Sequence, residues 1–569
     1  MSPFHVKTSR AGKGSIATDT IEFSEHGNMS QTPDTGLDRV STSRLLELER
    51  KRNGSMTVVT KPTTSESATH DADEESMPLG QAIRRYPKIV AYCMSLTIVI
   101  IGWGYALVIV GSIVAVEPFQ RDYGEVYEGR TIIPSLWVSL WSASIPLGMA
   151  LGSVFAGWYQ DRVGRIWSLR TGAIVCALGV GGIFFSYLPA GMDAKRAMFF
   201  VGKTVQGLSI GILKVTAMTY ISETAPTALR GSAMGLVPTG NLVGQLLGSI
   251  VVFLVNDVPT KAGYLASFGS QWILALVPFV LSLVIPESPA YLEERGEPDK
   301  AVRASERLYA PRADAAKILT RLRASILEEK EMTAGASYLT CFRGTNLRRT
   351  MIVVMANIFP ALFGLDLISK SSYFLQTIGM KSRISLMILI GGIVAGTFAN
   401  GLGMWILSRV GRRKLTLVSL SVSTALWVAV GLSGIWRGPA VAYFTAGGCI
   451  LIIVVCGMSV WPASYAIMGE TSSLRLRAKT QGIGGVAQQA SSVVINLVLP
   501  YAYNPDAAHL GAKTGFIYVV LCALGVALCW FFLPEMKGRS VMEIDHMFEL
   551  RLPARQFKRW RGDVHSESK

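Results

Sequence analysis

The chain has 569 residues, 50% of them hydrophobic and only 17% charged, yet its formal net charge is +16. A soluble chain of this length would divide into several domains with far more charged surface, and a mean hydropathy of +0.37 would drive it to aggregate. The composition sets aside a soluble multidomain protein, fits poorly with nucleic-acid binding despite the basic charge, and points to a polytopic membrane protein.

Residues 1–88 are rich in Ser, Thr, Gly and Asp and lack helical periodicity beyond 45–52, which predicts a disordered tail. The first 30 residues hold no apolar core of a signal peptide, so no cleavable leader is expected. Apolar stretches of ~20 residues, long enough to cross a bilayer, then follow in series. They fall near 90–116, 133–157, 170–190, 198–220, 232–255 and 271–287. A polar interval at 288–350 predicts amphipathic helices over 299–309 and 315–331. Six more stretches lie near 351–375, 384–407, 415–435, 440–467, 483–503 and 515–533, and a polar tail runs from 534 to 569. The expected fold is therefore an all-α polytopic membrane protein with twelve transmembrane helices in two six-helix bundles, 89–287 and 351–533.

Lys and Arg concentrate in the loops after even-numbered spans, which hold Arg162, Arg165, Arg230, Arg409, Arg412, Arg413, Arg475 and Arg477. The opposite loops are sparser in basic residues and include Glu117, Asp122, Glu125 and Glu128. By the positive-inside rule both termini and the central segment are expected to be cytoplasmic.

The halves also repeat. Trp158-x-x-Asp161-Arg162-Val163-Gly164-Arg165 returns as Trp405-x-x-Ser408-Arg409-Val410-Gly411-Arg412, an offset of 247 positions. Glu223 and Arg230 return at the same offset as Glu470 and Arg477, and Pro286-Glu287 returns one position later as Pro534-Glu535. Two duplicated halves with a solute site between them at the midplane is the plan of a secondary transporter.

The seven cysteines show no paired spacing, and all but Cys341 lie in apolar stretches, so reduced thiols are expected. None of the six histidines falls in an apolar run, and no nucleophile–base pair or metal-ligand spacing stands out. No enzymatic activity, cofactor or metal is expected.

Further motifs extend the pattern. They are Tyr220-x-Ser222-Glu223-x-Ala225-Pro226-x-x-Leu229-Arg230-Gly231, Pro286-Glu287-Ser288-Pro289, Gly469-Glu470 through Arg477, Pro500-Tyr501-x-x-Asn504-Pro505, and Pro534-Glu535-x-Lys537-Gly538-Arg539. Taken in order from about 85 to 560, they resemble the sugar porter family of the major facilitator superfamily, of the fungal maltose and α-glucoside permease type. The resemblance implies a sugar carrier of the plasma membrane, a monomer in the lipid bilayer with a small-molecule substrate. It also implies a gate of inter-helix salt bridges, which locks the cytoplasmic side in the outward-facing state. Asp161, Arg162, Arg165, Glu223, Arg230, Glu287, Arg409, Arg412, Glu470, Arg477 and Glu535 are the residues that match it. Ser408 stands in place of the second Asp, so the second lock is expected to be weaker. Ordinary positive-inside charge with helix caps is the competing explanation of the set.

The cavity positions depart from the family. The first span reads Gly104-Tyr105-Ala106 where the proton symporters of the resembling type carry a carboxylate after the tyrosine. Gly244-Gln245 matches a sugar-binding glutamine, but the polar residue seven positions earlier is Pro238, and the paired glutamines of the seventh span are replaced by Pro360 and Ala361. Lost amide donors weaken the case for an ordinary sugar, whose hydroxyls need partners when buried.

Three charges inside apparent spans stand in their place: Lys214, Asp366 and Lys370. The last two are four residues apart and are able to pair on one helix face. The alternatives are that the charges line the cavity and favour a polar or anionic ligand, or that Lys370 snorkels to the interface. Trp461-Pro462 in the tenth span suggests a gating kink and a stacking surface, against plain core packing. Asn241 and Asn357 are either cavity hydrogen-bonders or helix–helix glue. The basic run 555–561 either lies on the inner leaflet or is a solvated tail. The leading function is alternating-access transport of a sugar or sugar-like solute. A carrier of a small acid or secondary metabolite comes second, and a non-transporting sensor third.

Overall fold

The computed structural model describes residues 79–560 except 312, 334–336, 437 and 540; residues 1–78 of the expected N-terminal tail and Arg561 lie outside them, while the end of that tail is helical over Leu79–Arg85 rather than disordered. Eleven described helices are long and apolar enough to cross a membrane. The first half has Pro87–Ile113, Ser135–Val163, Arg165–Phe184, Met192–Thr224 and Thr227–Val255, then a sixth span bent between Lys261–Gly269 and Gln271–Val284. The second half has Ser382–Arg409, Arg412–Ser433, a tenth span in two pieces (Pro439–Gly457 and Val460–Thr471), Arg477–Tyr503 and Gly515–Phe532. The seventh apolar stretch is broken twice and is the expected span missing from those eleven. It runs as Gly344–Phe363, Leu365–Ile368 and Ser371–Thr377, interrupted at Gly364, whose φ of +97° suits glycine, and again at Ser369-Lys370.

Glycine spacing decides how closely the helices approach. Gly148 and Gly152 of the second span face Gly207 and Gly211 of the fourth. A Cβ on any of the four would lie 2.0–2.6 Å from the backbone of the other helix. This is the small-residue seam by which membrane helices gain packing where no hydrophobic drive separates helix from lipid. Between the halves, the second span packs on the eleventh and the fifth on the eighth.

At one end of the molecule the first half carries the short helix Glu117–Tyr123 and an antiparallel hairpin, Glu125–Tyr127 with Arg130–Ile132, in which Val126 faces Thr131. At the other end lie the duplicated turns, here termed the signature end. The polar interval forms Pro289–Glu294, Pro298–Tyr309 and Ala315–Thr333, close to the expected helices. It grips the first half: Tyr309 donates to the Thr224 carbonyl at 3.0 Å, and Lys88 donates to that of Ala310 at 2.7 Å.

The C-terminal segment is not the plain solvated tail of one expectation for it. Through Trp560 it folds back as helix Val541–Glu549 and a turn, and Phe557 is fully buried. Arg349 pairs with Asp545, and Arg348 lies over the rings of Phe548 and Phe557. The aromatic residues within the basic run supply the apolar contact that a solvated tail would lack.

Candidate functional site

The two signature turns have the same construction. Arg165 donates from Nη2 to Glu223 Oε1 at 2.6 Å, and Arg412 donates to Glu470 at 2.7 Å; each pair is separated by 58 residues. Glu287 accepts from the backbone N–H groups of Arg165 and Ile166 at 3.0 and 3.1 Å. Glu535 does the same for Arg412 and Arg413 at 3.0 and 3.2 Å. Each carboxylate thus sits on the positive N-terminus of a membrane helix, which favours negative charge. The glycines of the motif make room for it. A Cβ on Gly164 would lie 2.5 Å from Glu287 Oε2, and one on Gly411 would lie 2.1 Å from Glu535 Oε2.

Both ion pairs join two helices, and both lie within a single half. Each arginine is held by the glutamate on the next helix of its own half, so in this state the pairs brace each bundle. Asp161 is 3.6 Å from Arg165 with its side chain 69% exposed, a geometry that contributes little. The Asp-to-Ser change at Ser408 therefore removes only a weak contact. What separates the copies is exposure: Arg165 and Glu223 are 6% and 17% exposed, Arg412 and Glu470 18% and 29%. Arg162 and Arg409 lie over Trp158 and Trp405 at 4.7 and 4.4 Å, Arg477 donates to the Gly469 carbonyl, and Arg230 is exposed.

Hydrogen bonds across the seam fall at the hairpin end. Asp506, just after the eleventh span, accepts from the backbone N–H of Ser135 at 2.7 Å and from its hydroxyl at 2.5 Å. A carboxylate of the second half thereby caps the first turn of a helix of the first half. Asn504 donates to the Ile133 carbonyl and to Asp506, and Tyr373 donates to Asn504 at 2.8 Å. Gln376 and Ser382 reach the Ala115 carbonyl, and Arg383 pairs with Asp257. The motif around Pro500 to Pro505 was visible in sequence; its partners 371 positions away were not.

The charges within the spans are arranged otherwise than spacing suggested. Asp366 and Lys370 form no ion pair, because the helix breaks between them. Asp366 Oδ1 accepts from Ser492 at 2.6 Å and Asn496 at 2.9 Å, while Lys370 donates to Asn496 Oδ1. Asn496 thus bridges acid and base. Ser492 and Asn496, four residues apart in the eleventh span, were the legible sign of such a partner. Lys214 lies 4.1 Å from the Trp103 ring centroid, a cation–π contact between the fourth and first spans. Lys203, earlier in the fourth span, is buried against the Trp141 carbonyl.

Other candidates fall into separate groups. Gln245 donates to Asn241 Oδ1 at 2.7 Å, both are buried, and the Nδ2 of Asn241 has no hydrogen-bond partner. Gln245 also lines a cavity at the seam with Ser369 and Ser371 of the broken span. Asn357 donates to the Val353 carbonyl and to Met468 Sδ, packed against Gly484, which is the helix-glue arrangement. Trp461 is 6% exposed. The discontinuity in its span lies at Met458-Ser459, ahead of Trp461-Pro462. Pro462 instead occupies the first turn of Val460–Thr471, where a missing N–H costs nothing.

The family model for sugar (and other) transporters matches residues 90–548. The MFS transporter fmqE of Aspergillus fumigatus is 30% identical over 536 residues, 88% of this chain and 97% of that protein. The maltose permease MAL61 of Saccharomyces cerevisiae is 26% identical over 580 residues, 99% of this chain and 92% of its own. Among solved structures, a partially occluded inward-open form of the Escherichia coli xylose transporter XylE has a TM-score of 0.66 at 19% identity. It covers 80% of this chain and 100% of that one. At that identity the likeness establishes the major facilitator fold.

Proposed function

The chain belongs to the sugar (and other) transporter family, and from that premise we propose that it carries a sugar or sugar-like polar solute across a membrane by alternating access. The observation that carries the reading is the asymmetry between the ends. Each half is braced internally by its own Arg–Glu–Glu turn, and the halves are joined by hydrogen bonds at the hairpin end. Two rigid bundles with a breakable seam form the bistable element that alternating access requires. The bundles 89–287 and 351–533 rock about a site between them, with 288–350 as the connecting linker. Gln245, Asn241, Trp461, Asp366 and Lys214 are the residues from which the solute's partners are drawn. The signature turns, from Asp161 to Glu535, form the gate of the other end. That end is cytoplasmic with both termini, the membrane is the plasma membrane, and the carrier works as a monomer.

A second reading, a non-sugar solute, is favoured by the residues within the spans. Pro360 and Ala361 offer no side-chain donors, and Lys214 adds a cation that rests over the Trp103 ring. With Ala106 in the first span, coupling to protons through that helix is weak or absent, which leaves facilitated diffusion or coupling through Asp366. Uptake by vesicles containing the purified protein, with a panel of labelled sugars, polyols and organic acids, tests both readings. Saturable movement of a sugar or polyol supports the first; movement of acids alone selects the second. Substrate-driven acidification that survives Asp366→Asn would contradict the coupling assignment.

A further inference from the structure

Lys203 and Lys370 face a single cavity from opposite sides of the seam. Lys203, on the fourth span, is 3% exposed; its Nζ donates to the Trp141 carbonyl and lies 5.6 Å from the Phe199 ring centroid. Lys370 comes from the second break in the seventh span and donates to Asn496. Both line a narrow cavity, with about 420 Å³ of atom-free space counting its mouth, together with Ser142, Trp141, Tyr373 and Tyr503. Among the described residues lining it there is no carboxylate. Asp366 stands outside the lining, its Oδ1 engaged by Ser492 and Asn496. The first span has no Asp or Glu, and the second has none before Asp161 near its signature end.

An ammonium held out of water is costly unless paired, and a single carbonyl recovers only part of the loss. Two ammonium groups brought to one cavity also repel, more strongly than in water because the surroundings are apolar. Closing the seam at the hairpin end brings them together. An anion between them reverses the sign of the interaction.

We propose that this cavity is an anion site that takes the carboxylate of a small organic acid, with Lys203 and Lys370 as its two cationic partners. The bound carboxylate ties the halves together at the hairpin end, since one lysine belongs to each half. Tyr373 connects the site to the seam, lining the cavity while its hydroxyl donates to Asn504. That the acid is cargo rests on the carrier reading; that the site binds a carboxylate does not.

The test uses the full-length protein in detergent, with lactate and succinate as carboxylate probes, chloride and inorganic phosphate as inorganic anions, and glucose and maltose as neutral probes. A carboxylate is expected to raise the melting midpoint saturably. Lys203→Gln and Lys370→Gln should each weaken its affinity roughly tenfold to hundredfold, and Lys203→Arg should retain most of it. Elution as a monodisperse species without ligand identifies variants that fold, and the arginine variants serve where the glutamine ones do not. No carboxylate effect, an effect of chloride or phosphate that carboxylates do not compete away, or glutamine variants that bind as wild type would each overturn the proposal. Carboxylate binding without flux in vesicles would instead remove the cargo role and leave the site. Sugar flux with no carboxylate binding would remove the site and leave the carrier.

Discussion

Asp506→Ala tests whether the seam at the hairpin end is a gate. The wild-type carboxylate accepts two hydrogen bonds from Ser135, one from the N–H that opens the second span, and a third from Asn504 at 2.6 Å. Hydrogen bonds to an ionised group contribute about 1.5–3 kcal/mol each, and the helix terminus adds about 0.3–1 kcal/mol. When the seam opens, Asn504 stays with Asp506 and water replaces the two bonds from Ser135, so the difference between states is closer to one such bond than to three. A bias of about 1.5–3 kcal/mol corresponds to a roughly 10- to 100-fold shift in the ratio of closed to open states. Val138 lies beneath the seam, 3% exposed and on the wall of the lysine cavity, while the seven native cysteines are buried. A Val138→Cys reporter should therefore react slowly with an impermeant maleimide added from the hairpin side, and roughly tenfold or more faster once Asp506→Ala is introduced. Asp506→Asn keeps an acceptor and should fall between. Ser135→Ala added to Asp506→Ala should bring much less than the sum of the two effects, since both remove one interaction. A labelling rate unchanged by Asp506→Ala would refute the gate.

Three further outcomes follow from the same geometry. Gly411→Ala should lower the melting midpoint, since its Cβ displaces Glu535 from two N–H groups at a cost of about 1–3 kcal/mol; an unshifted midpoint would mean the cap is dispensable. Phe557→Ala should release the C-terminal segment, the loss of a fully buried ring costing about 3–5 kcal/mol; trypsin cleavage after Arg551 or Arg555 no faster than in wild type would argue against docking. Lys214→Gln removes the cation over Trp103 and should alter the solute profile in a transport screen, and an unchanged profile would count against a cavity role for Lys214.

Local signals were legible in the sequence. The duplication predicted twin turns, and the structure returns them with one geometry at one separation, because each Arg–Glu contact depends on helices adjacent in the chain. The linker helices were likewise set by their own periodicity. Contacts between distant helices carry no such signal. Asp366 and Lys370 stood out as intramembrane charges, but their bridge through Asn496 depends on a break at Gly364 and Lys370 that spacing on an ideal helix conceals. Gly364 was the available hint. Asp506 gave no sign of its partner, since nothing near it in sequence refers to Ser135. The basic C-terminal run was read from its charge, whereas Phe557 decides its place.

Counterflow in vesicles tests the carrier claim most directly. Vesicles preloaded with an unlabelled transported solute and diluted into a trace of the same solute, labelled, should accumulate label transiently above its external concentration, because a carrier exchanges one bound solute for another across its two states. Label that only equilibrates, at a rate indifferent to preloading, would contradict alternating access. Label that binds without entering would contradict transport altogether.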